Sequence, residues 1–377
     1  LIMARDAIEG LQLAELDNFF RDACSKSKPQ PIEQIDPSAV AIYGIILDDR
    51  LEVIVRLPHQ TDGELFHYRT PIAQAELVRT IAQLRLKLET PLASAEWEAQ
   101  QLSQPIYNGL LAPTLARLQG EETLVFVLDG ELRNIPMAAL YDGKQYLIER
   151  HPVAIEPGLH LLDPQPLSRP FNALLGGLSQ PPPGEEFSPL PNVPRELQTI
   201  EQIITTSGGT VSNKWLDRDF NRQNLESRVG SKPLQLVHLA THGQFSSQAE
   251  NTFLLASDGR ISIKQLEPLL GSSNPRQSKS IDLLFISACE TATGDDRAVL
   301  GLAGVAVRSG ARSTIASLWS LSDEPATEFI GTFYQELVAG TPRAEALRRA
   351  QLKFLKGDSS RNAPLYWASY VLLGDWR

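Results

Sequence analysis

Short apolar runs alternate along the chain with longer segments in which apolar residues return every three or four positions, the pattern of strands interleaved with helices. VAIYGIIL (40–47) and LEVIVRL (51–57) are β-branched runs joined by Asp48-Asp49, which predicts a hairpin. Leu77, Ile81, Leu84 and Leu88 then recur at helical spacing, a less regular helical stretch covers about 94–118, and TLVFVL (123–128) reads as a buried strand. Ahead of them, Leu13, Leu16, Phe20 and Ala23 predict an N-terminal helix, and the unpatterned, proline-bearing residues 25–38 a linker.

A second proline-rich stretch, 157–170, marks a boundary, after which a new series of runs begins. FNALLGG (171–177), LQLVHLA (234–240), IDLLFIS (281–287), RSTIASLWSL (312–321) and WASYVLLG (367–374) predict strands. FLLASDGRIS (253–262) predicts a hairpin with Asp258-Gly259 at its tip. Leu197, Ile200 and Ile204 predict a helix opening near Pro194, VLGLAGVAVRSG one with small residues for close packing, and Ala326, Phe329, Phe333 and Leu337, then Leu347, Ala350 and Phe354, two that cover a sheet. The strand runs lack strict alternation, as strands covered on both faces of a parallel sheet do. The fold class is therefore α/β: residues 1–38 as helix and linker, 39–166 as a smaller α/β module, and 167–377 as a mostly parallel sheet flanked by helices.

Composition adds limits. Apolar residues make up 42% and charged ones 21%, which supports a sizeable core. The net charge of −10 speaks against a nucleic-acid backbone as partner. Cys24 and Cys289 are the only cysteines, too few for a disulfide framework, and with no apolar run of spanning length or signal peptide the expectation is a cytoplasmic protein away from membranes. The chain opens at Leu1 rather than Met, and is read as a piece of a longer polypeptide.

Candidate chemistry sits at the ends of two similar strands. LQLVHLA runs into Thr241-His242-Gly243, and IDLLFIS into Ala288-Cys289-Glu290. Paired in register, such strands end about 5 Å apart, on the rim where ligands bind in open α/β sheets. A lone histidine or cysteine in these settings reads as a core residue. Together they read as a dyad, Cys289 the nucleophile and His242 its acid/base, with the backbone N–H groups of Gly243 and Cys289 as an oxyanion hole. No side chain can be assigned to orient the imidazole; a backbone carbonyl would leave no trace in sequence. Asp129, Glu131 and Arg133 read as a local capping or interdomain network, and His59 and His67 as surface residues of a polar loop. GxxxxGK[ST], GxGxxG after a strand, HExxH, CxxC and GxSxG are all missing, so no metal and no organic cofactor is expected.

The words VHLATHGQF (237–245), FISACETATG (285–294), GARSTIASLWSLSDEPATEFIGTFYQEL (310–337) and APLYWASYVLLGDW (363–376) resemble the CHAT domain, the family named for caspase, HetF and associated TPR repeats. LVFVLDGELRNIPMAALYDGKQYLIERHPVAIEPG (124–158) and LPNVPREL (190–197) resemble it too. That resemblance implies a caspase-like cysteine peptidase of clan CD, with the family's catalytic pair carried onto His242 and Cys289, which lie 47 residues apart. It also implies TPR-type repeats upstream, or a regulatory partner, that govern loops near 180–192 and 290–298. The word Ser287-Ala288-Cys289-Glu290-Thr291 differs from that of caspases, so their specificity does not carry over. In caspase-like peptidases the S1 pocket draws on the residue two before the cysteine, here Ser287, which offers no cation for an aspartate. Trp319 and Asp323 follow a neighbouring strand, and Glu185 and Glu186 lie in the proline-rich loop. These point to protein substrates cut after Arg or Lys, with Asp323 as pocket floor and Trp319 as wall; Asp323 as a helix cap, or Trp319 favouring a large apolar residue, are the alternatives. A peptide-binding or scaffolding module that depends little on its thiol is the alternative function.

Overall fold

The computed structural model describes residues 1–20, 32–60, 64–156, 167, 169–227, 234–270, 281–288, 290–291, 298–319, 323–358 and 360–377. Two compact units result, residues 1–162 with 351–376, and residues 163–350 with 377.

The first unit opens with α1 (Ile2–Phe20), which buries Leu16 and Phe20 as its apolar spacing predicts; Ala23 and linker residues 25–31 lie outside the described residues. Two side-chain hydrogen bonds tie α1 to the sheet, Gln12 Nε2 donating to the Leu128 carbonyl at 3.1 Å and Tyr43 to Glu9 at 2.8 Å. After the short α2 (Ile32–Ile35), β1 (Val40–Leu47) and β2 (Arg50–Arg56) form the expected hairpin across Asp48-Asp49. β3 (Leu65–Pro71) then pairs antiparallel with β2. This strand corrects the polar-loop reading of His67, which lies on β3 with Nε2 against Glu52 of β2. The half-exposed, polar run of 65–71 hides a strand whose pairing comes from its neighbour. Helices α3 (Gln74–Leu88), α4 (Ala93–Leu110) and α5 (Ala112–Leu115) follow, α3 burying all of Leu77, Ile81, Leu84 and Leu88. β4 (Leu124–Leu128) and β5 (Val153–Ile155) extend the sheet from β1 in parallel. The charged turn after β4 is a local network: Arg133 donates to the Leu128 carbonyl and pairs with Glu15, both at 2.7 Å, and Asn134 donates to Glu131 at 2.5 Å.

In the second unit β6 (Asn172–Gly177) leads through the proline-rich loop to α6 (Val193–Thr206), then β7 (Thr210–Leu216) and α7 (Arg222–Ser227). β8 (Leu236–Ala240) is followed by β9 (Gly243–Phe245), β10 (Phe253–Ala256), β11 (Gly259–Ser262) and α8 (Ile263–Leu270). The turn of the β10–β11 hairpin is Ser257-Asp258, one residue earlier than expected, because Gly259 already pairs with Ala256. β12 (Leu283–Ser287), β13 (Glu290–Thr291), α9 (Ala298–Arg308), β14 (Ser313–Ser317), α10 (Asp323–Ala339) and α11 (Arg343–Leu355) complete the series. β14, β12, β8, β6 and β7 pair side by side, every pairing parallel. β14, β12, β8 and β6 are buried almost throughout because both faces are covered: a Cβ on Gly177 would meet Val193 and Leu197 of α6, whereas one on Gly176 would meet Phe220, just before α7; the polar β7, last in the row, is half-exposed. β9 pairs with β10 and β13 in a small second sheet at the exit of β8. Returning to the first unit, α12 (Pro364–Trp367) precedes β15 (Tyr370–Gly374), whose Leu373 pairs in parallel with Ile155 of β5.

Three tyrosines carry their hydroxyls into these cores. Burial pushes the Tyr68 hydroxyl up to about 12, and raises those of Tyr146 and Tyr334 well above the ordinary value. Each folded value lies above the ordinary value near 10, so the unfolded chain releases these protons first as pH rises. The stability they contribute is whole below about pH 10 and is lost as pH climbs through the folded values. The urea midpoint is expected to fall between about pH 10 and 12, and to fall less steeply in Tyr68→Phe.

Candidate active site

The exit of β8 is stitched on both sides. Ala240 pairs with Ser287 of β12 in parallel register, and Thr241 N donates to the Ser287 carbonyl at 3.1 Å. Thr241 Oγ1 donates to the Leu255 carbonyl at 2.5 Å, while Leu255 N donates to the carbonyl of His242 at 2.8 Å. His242 thus stands half-buried between β8 and β9, its backbone held by β10. The bond from Leu255 to His242 makes Gly243 and Leu254 a non-hydrogen-bonded pair, so the Gly243 N–H points away from β10. Gly243 has no room for a side chain there, since a Cβ would lie 2.7 Å from Leu254 and 3.2 Å from the Phe253 carbonyl.

The imidazole is held by the proline-rich loop between β6 and α6. His242 Nε2 lies 2.7 Å from the carbonyl oxygen of Ser188, and the Phe187 ring stacks on the imidazole at 4.7 Å and 24°. A carbonyl only accepts, so Nε2 carries a proton and Nδ1 is the basic nitrogen of the neutral ring. The loop is built to deliver these residues. Ser179 N and Oγ donate to Asp217 at 2.7 and 2.9 Å, Leu190 N closes back on the Ser179 carbonyl at 2.9 Å, and Glu185 N donates to the Pro182 carbonyl at 3.2 Å across a turn. Pro183 and Gly184, the latter at φ +94°, suit the middle positions of a type II turn.

Of the other sequence candidates, Ser287 is the last residue of β12, half-buried, and Trp319, just past β14, is 4% exposed. Asp323 is the first residue of α10, where a carboxylate also suits the helix N-terminus. Glu186 is exposed, whereas Glu185 is engaged by Arg260 Nε at 2.9 Å and Nη2 at 2.8 Å. Those bonds hold the Glu185 carboxyl below the usual carboxylate range. Cys289, residues 292–297 of the segment that follows it, and the polar run 271–280 lie outside the described residues. The register of β8 and β12 therefore describes the site up to Ser287 and Ala288 on the cysteine side.

Behind His242, on β8, is a buried polar cluster that the sequence reading missed. His238 is 0% exposed, with Nε2 on Glu196 of α6 at 2.7 Å and Nδ1 on Tyr334 of α10 at 3.1 Å. The Phe285 ring lies 5.1 Å away. Its signal was present: Glu196 falls on the apolar face of a helix whose buried residues are Val193, Leu197, Ile200 and Ile204, and His238 interrupts an apolar strand. A charged residue on such a face needs a buried partner.

Among the described residues no group of three or more His, Cys, Asp or Glu could hold a metal ion, and no helix is long and apolar enough to cross a membrane.

Comparison with known proteins agrees with this architecture. The model of the CHAT domain family matches residues 100–375. No curated protein matches. Among solved structures, the Saccharomyces cerevisiae separase–securin complex at 3.0 Å is similar with a TM-score of 0.61 at 9% identity, over 96% of this chain and 30% of that one. The same complex at 2.6 Å gives a TM-score of 0.55 at 9% identity, over 91% and 30%. The Arg specific cysteine proteinase gingipain R gives a TM-score of 0.47 at 12% identity, over 78% of this chain and 73% of that one. The chain thus spans about 30% of the separase-complex chain it resembles. At such low identity the separase likeness shows the fold: a caspase-like α/β structure with a large, mostly parallel sheet flanked by helices.

Proposed function

Since the chain belongs to the CHAT domain family and has the fold of caspase-like cysteine peptidases, we propose that it is a cysteine endopeptidase of specific protein substrates. The observation that carries this reading is His242, presented at the exit of β8 beside the end of β12 with Nε2 committed to the Ser188 carbonyl at 2.7 Å. Cys289, the second residue past Ser287 in sequence, is the nucleophile in this reading. Its sulfur attacks the scissile carbonyl, and the oxyanion is taken by the N–H groups of Gly243 and Cys289. His242 protonates the leaving amine, an acyl-enzyme remains, and water activated by the same imidazole releases the acid and the thiol. No metal or organic cofactor enters this chemistry.

In this proposal residues 167–377 hold the catalytic module and 39–166 a non-catalytic one, in a reducing cytoplasmic setting. Specificity is for Arg or Lys before the cut. Ser287 is neutral, and Asp323 and Glu186 offer carboxylates that pair with a guanidinium. Trp319, at 4% exposure, would line the pocket only through the edge it presents. Regulation falls to upstream TPR-type repeats or to a protein partner acting on the loops near 180–192 and 290–298; the neighbouring separase is likewise seen with a protein, securin.

A set of electrophilic peptides differing only at the residue before the warhead tests the reading. Labelling of Cys289 is expected to be strongest with Arg or Lys, to vanish in His242→Ala, and to weaken selectively for basic peptides in Asp323→Ala. Labelling after Asp or Leu but not Arg would overturn the specificity. Binding of peptides that survives loss of both His242 and Cys289, with no covalent labelling in the native protein, would leave a peptide-binding or scaffolding module instead.

A further inference from the structure

We propose that Arg260, Glu185 and Phe187 are positioning residues for the imidazole of His242, a latch that holds the proline-rich loop down so that the Ser188 carbonyl and the Phe187 ring stay on it. This rests on the reading of His242 as the acid/base.

The contacts form a continuous series. Arg260 grips Glu185 through Nε and Nη2, at 2.9 and 2.8 Å, and stacks its guanidinium over the Phe253 ring at 4.3 Å. Phe253 meets Phe187 edge to face at 6.4 Å, and Phe187 stacks on His242 at 4.7 Å. The series also closes a ring through the backbone. Arg260 on β11 pairs with Leu255 of β10, and the neighbouring Leu254 pairs with Gly243, the residue after His242. The same histidine is thereby gripped from its own strand exit and, through Arg260, from the loop opposite.

Among the described residues, the tip of the loop is held by this pair and by the contacts of Phe187 and Ser188. Its base is pinned by Asp217 on Ser179 and by Leu190 on Ser179, but Glu186, Ser188 and Pro189 are exposed. Phe187 and the Ser188 carbonyl lie between the pinned base and Glu185. The Arg260 side chain is 53% exposed and that of Glu185 16%, so the pair is accessible to an acidic competitor and to salt, and one bidentate ion pair at the surface is a modest restraint. A modest restraint is what a loop that must admit a substrate chain can tolerate.

Alkylation of Cys289 by iodoacetamide in a Cys24→Ser background tests this without knowledge of the substrate. In the native site the rate is expected to reach half its plateau at a pH below about 8.5, the value of an ordinary thiol. Arg260→Met is expected to slow alkylation at neutral pH by about fivefold and to move the midpoint towards that of the ordinary thiol, with thermal unfolding unchanged. Phe187→Leu should move it the same way, and Glu185→Gln combined with Arg260→Met should be no worse than either alone. Midpoints that stay at the native value in Arg260→Met and Phe187→Leu, while His242→Ala moves its own, would overturn the latch and leave the dyad standing. A native midpoint in His242→Ala itself would remove the dyad, and the latch with it.

Discussion

Cys289→Ala is expected to abolish cleavage of protein substrates, with a loss on the order of 10³-fold or more, and His242→Ala to come close to it. In the proposed dyad the two side chains act as one unit: the thiol is a sufficient nucleophile only when an imidazole takes and returns its proton. The double variant should therefore be no slower than Cys289→Ala alone. The measurement is the appearance of new N-termini when a mixture of unfolded proteins is incubated with each variant. New termini formed at the native rate by Cys289→Ala would sink the covalent mechanism.

Glu196→Ala is expected to lower stability by about 3 kcal/mol, which for a unit of this size shifts thermal unfolding by roughly 5–10 °C. Glu196 is 2% exposed and its carboxylate meets His238 Nε2 at 2.7 Å, with Tyr334 on the other ring nitrogen at 3.1 Å. Deleting the carboxylate leaves a fully buried imidazole with an unpaired donor, which costs more than the pair itself contributes. Glu196→Gln retains an acceptor and should cost nearer 1 kcal/mol. Glu196→Leu combined with His238→Phe removes both polar groups, and should recover much of what Glu196→Ala loses. If Glu196→Ala unfolds at the native temperature in a calorimeter, the cluster is not what ties α6 and α10 to β8.

The candidate dyad is proposed from the chain alone because His242 and Cys289 follow apolar runs, and the end of such a run is visible in one dimension. The strands themselves were legible for the same reason: VAIYGIIL, LVFVL, LVHLA and LLFIS are covered on both faces and carry their burial in their composition. Helices α3, α6, α10 and α11 announced themselves by spacing, and Leu77, Leu197, Phe333 and Leu347 are buried where that spacing put them. By contrast, β3, β5 and β7 were not read, being polar or short; their pairing is supplied by the strand alongside.

By itself the sequence determined which residue types stand at which strand ends, because local pattern decides whether a segment is strand or helix and which face it buries. It therefore determined the α/β class, the placement of His242 directly after a buried strand, and the glycine that follows it. Tertiary structure alone decided what touches the imidazole. The Ser188 carbonyl belongs to the backbone, and every residue has one; the sequence separation between Ser188 and His242, 54 positions, is bridged only by the parallel pairing of β6 with β8. Arg260 and Glu185, 75 positions apart, likewise meet only because a hairpin folds back beside the loop. It also decided that the last strand of the chain, β15, lies beside β5 of the first unit, a pairing between segments more than half the chain apart that no local pattern can encode.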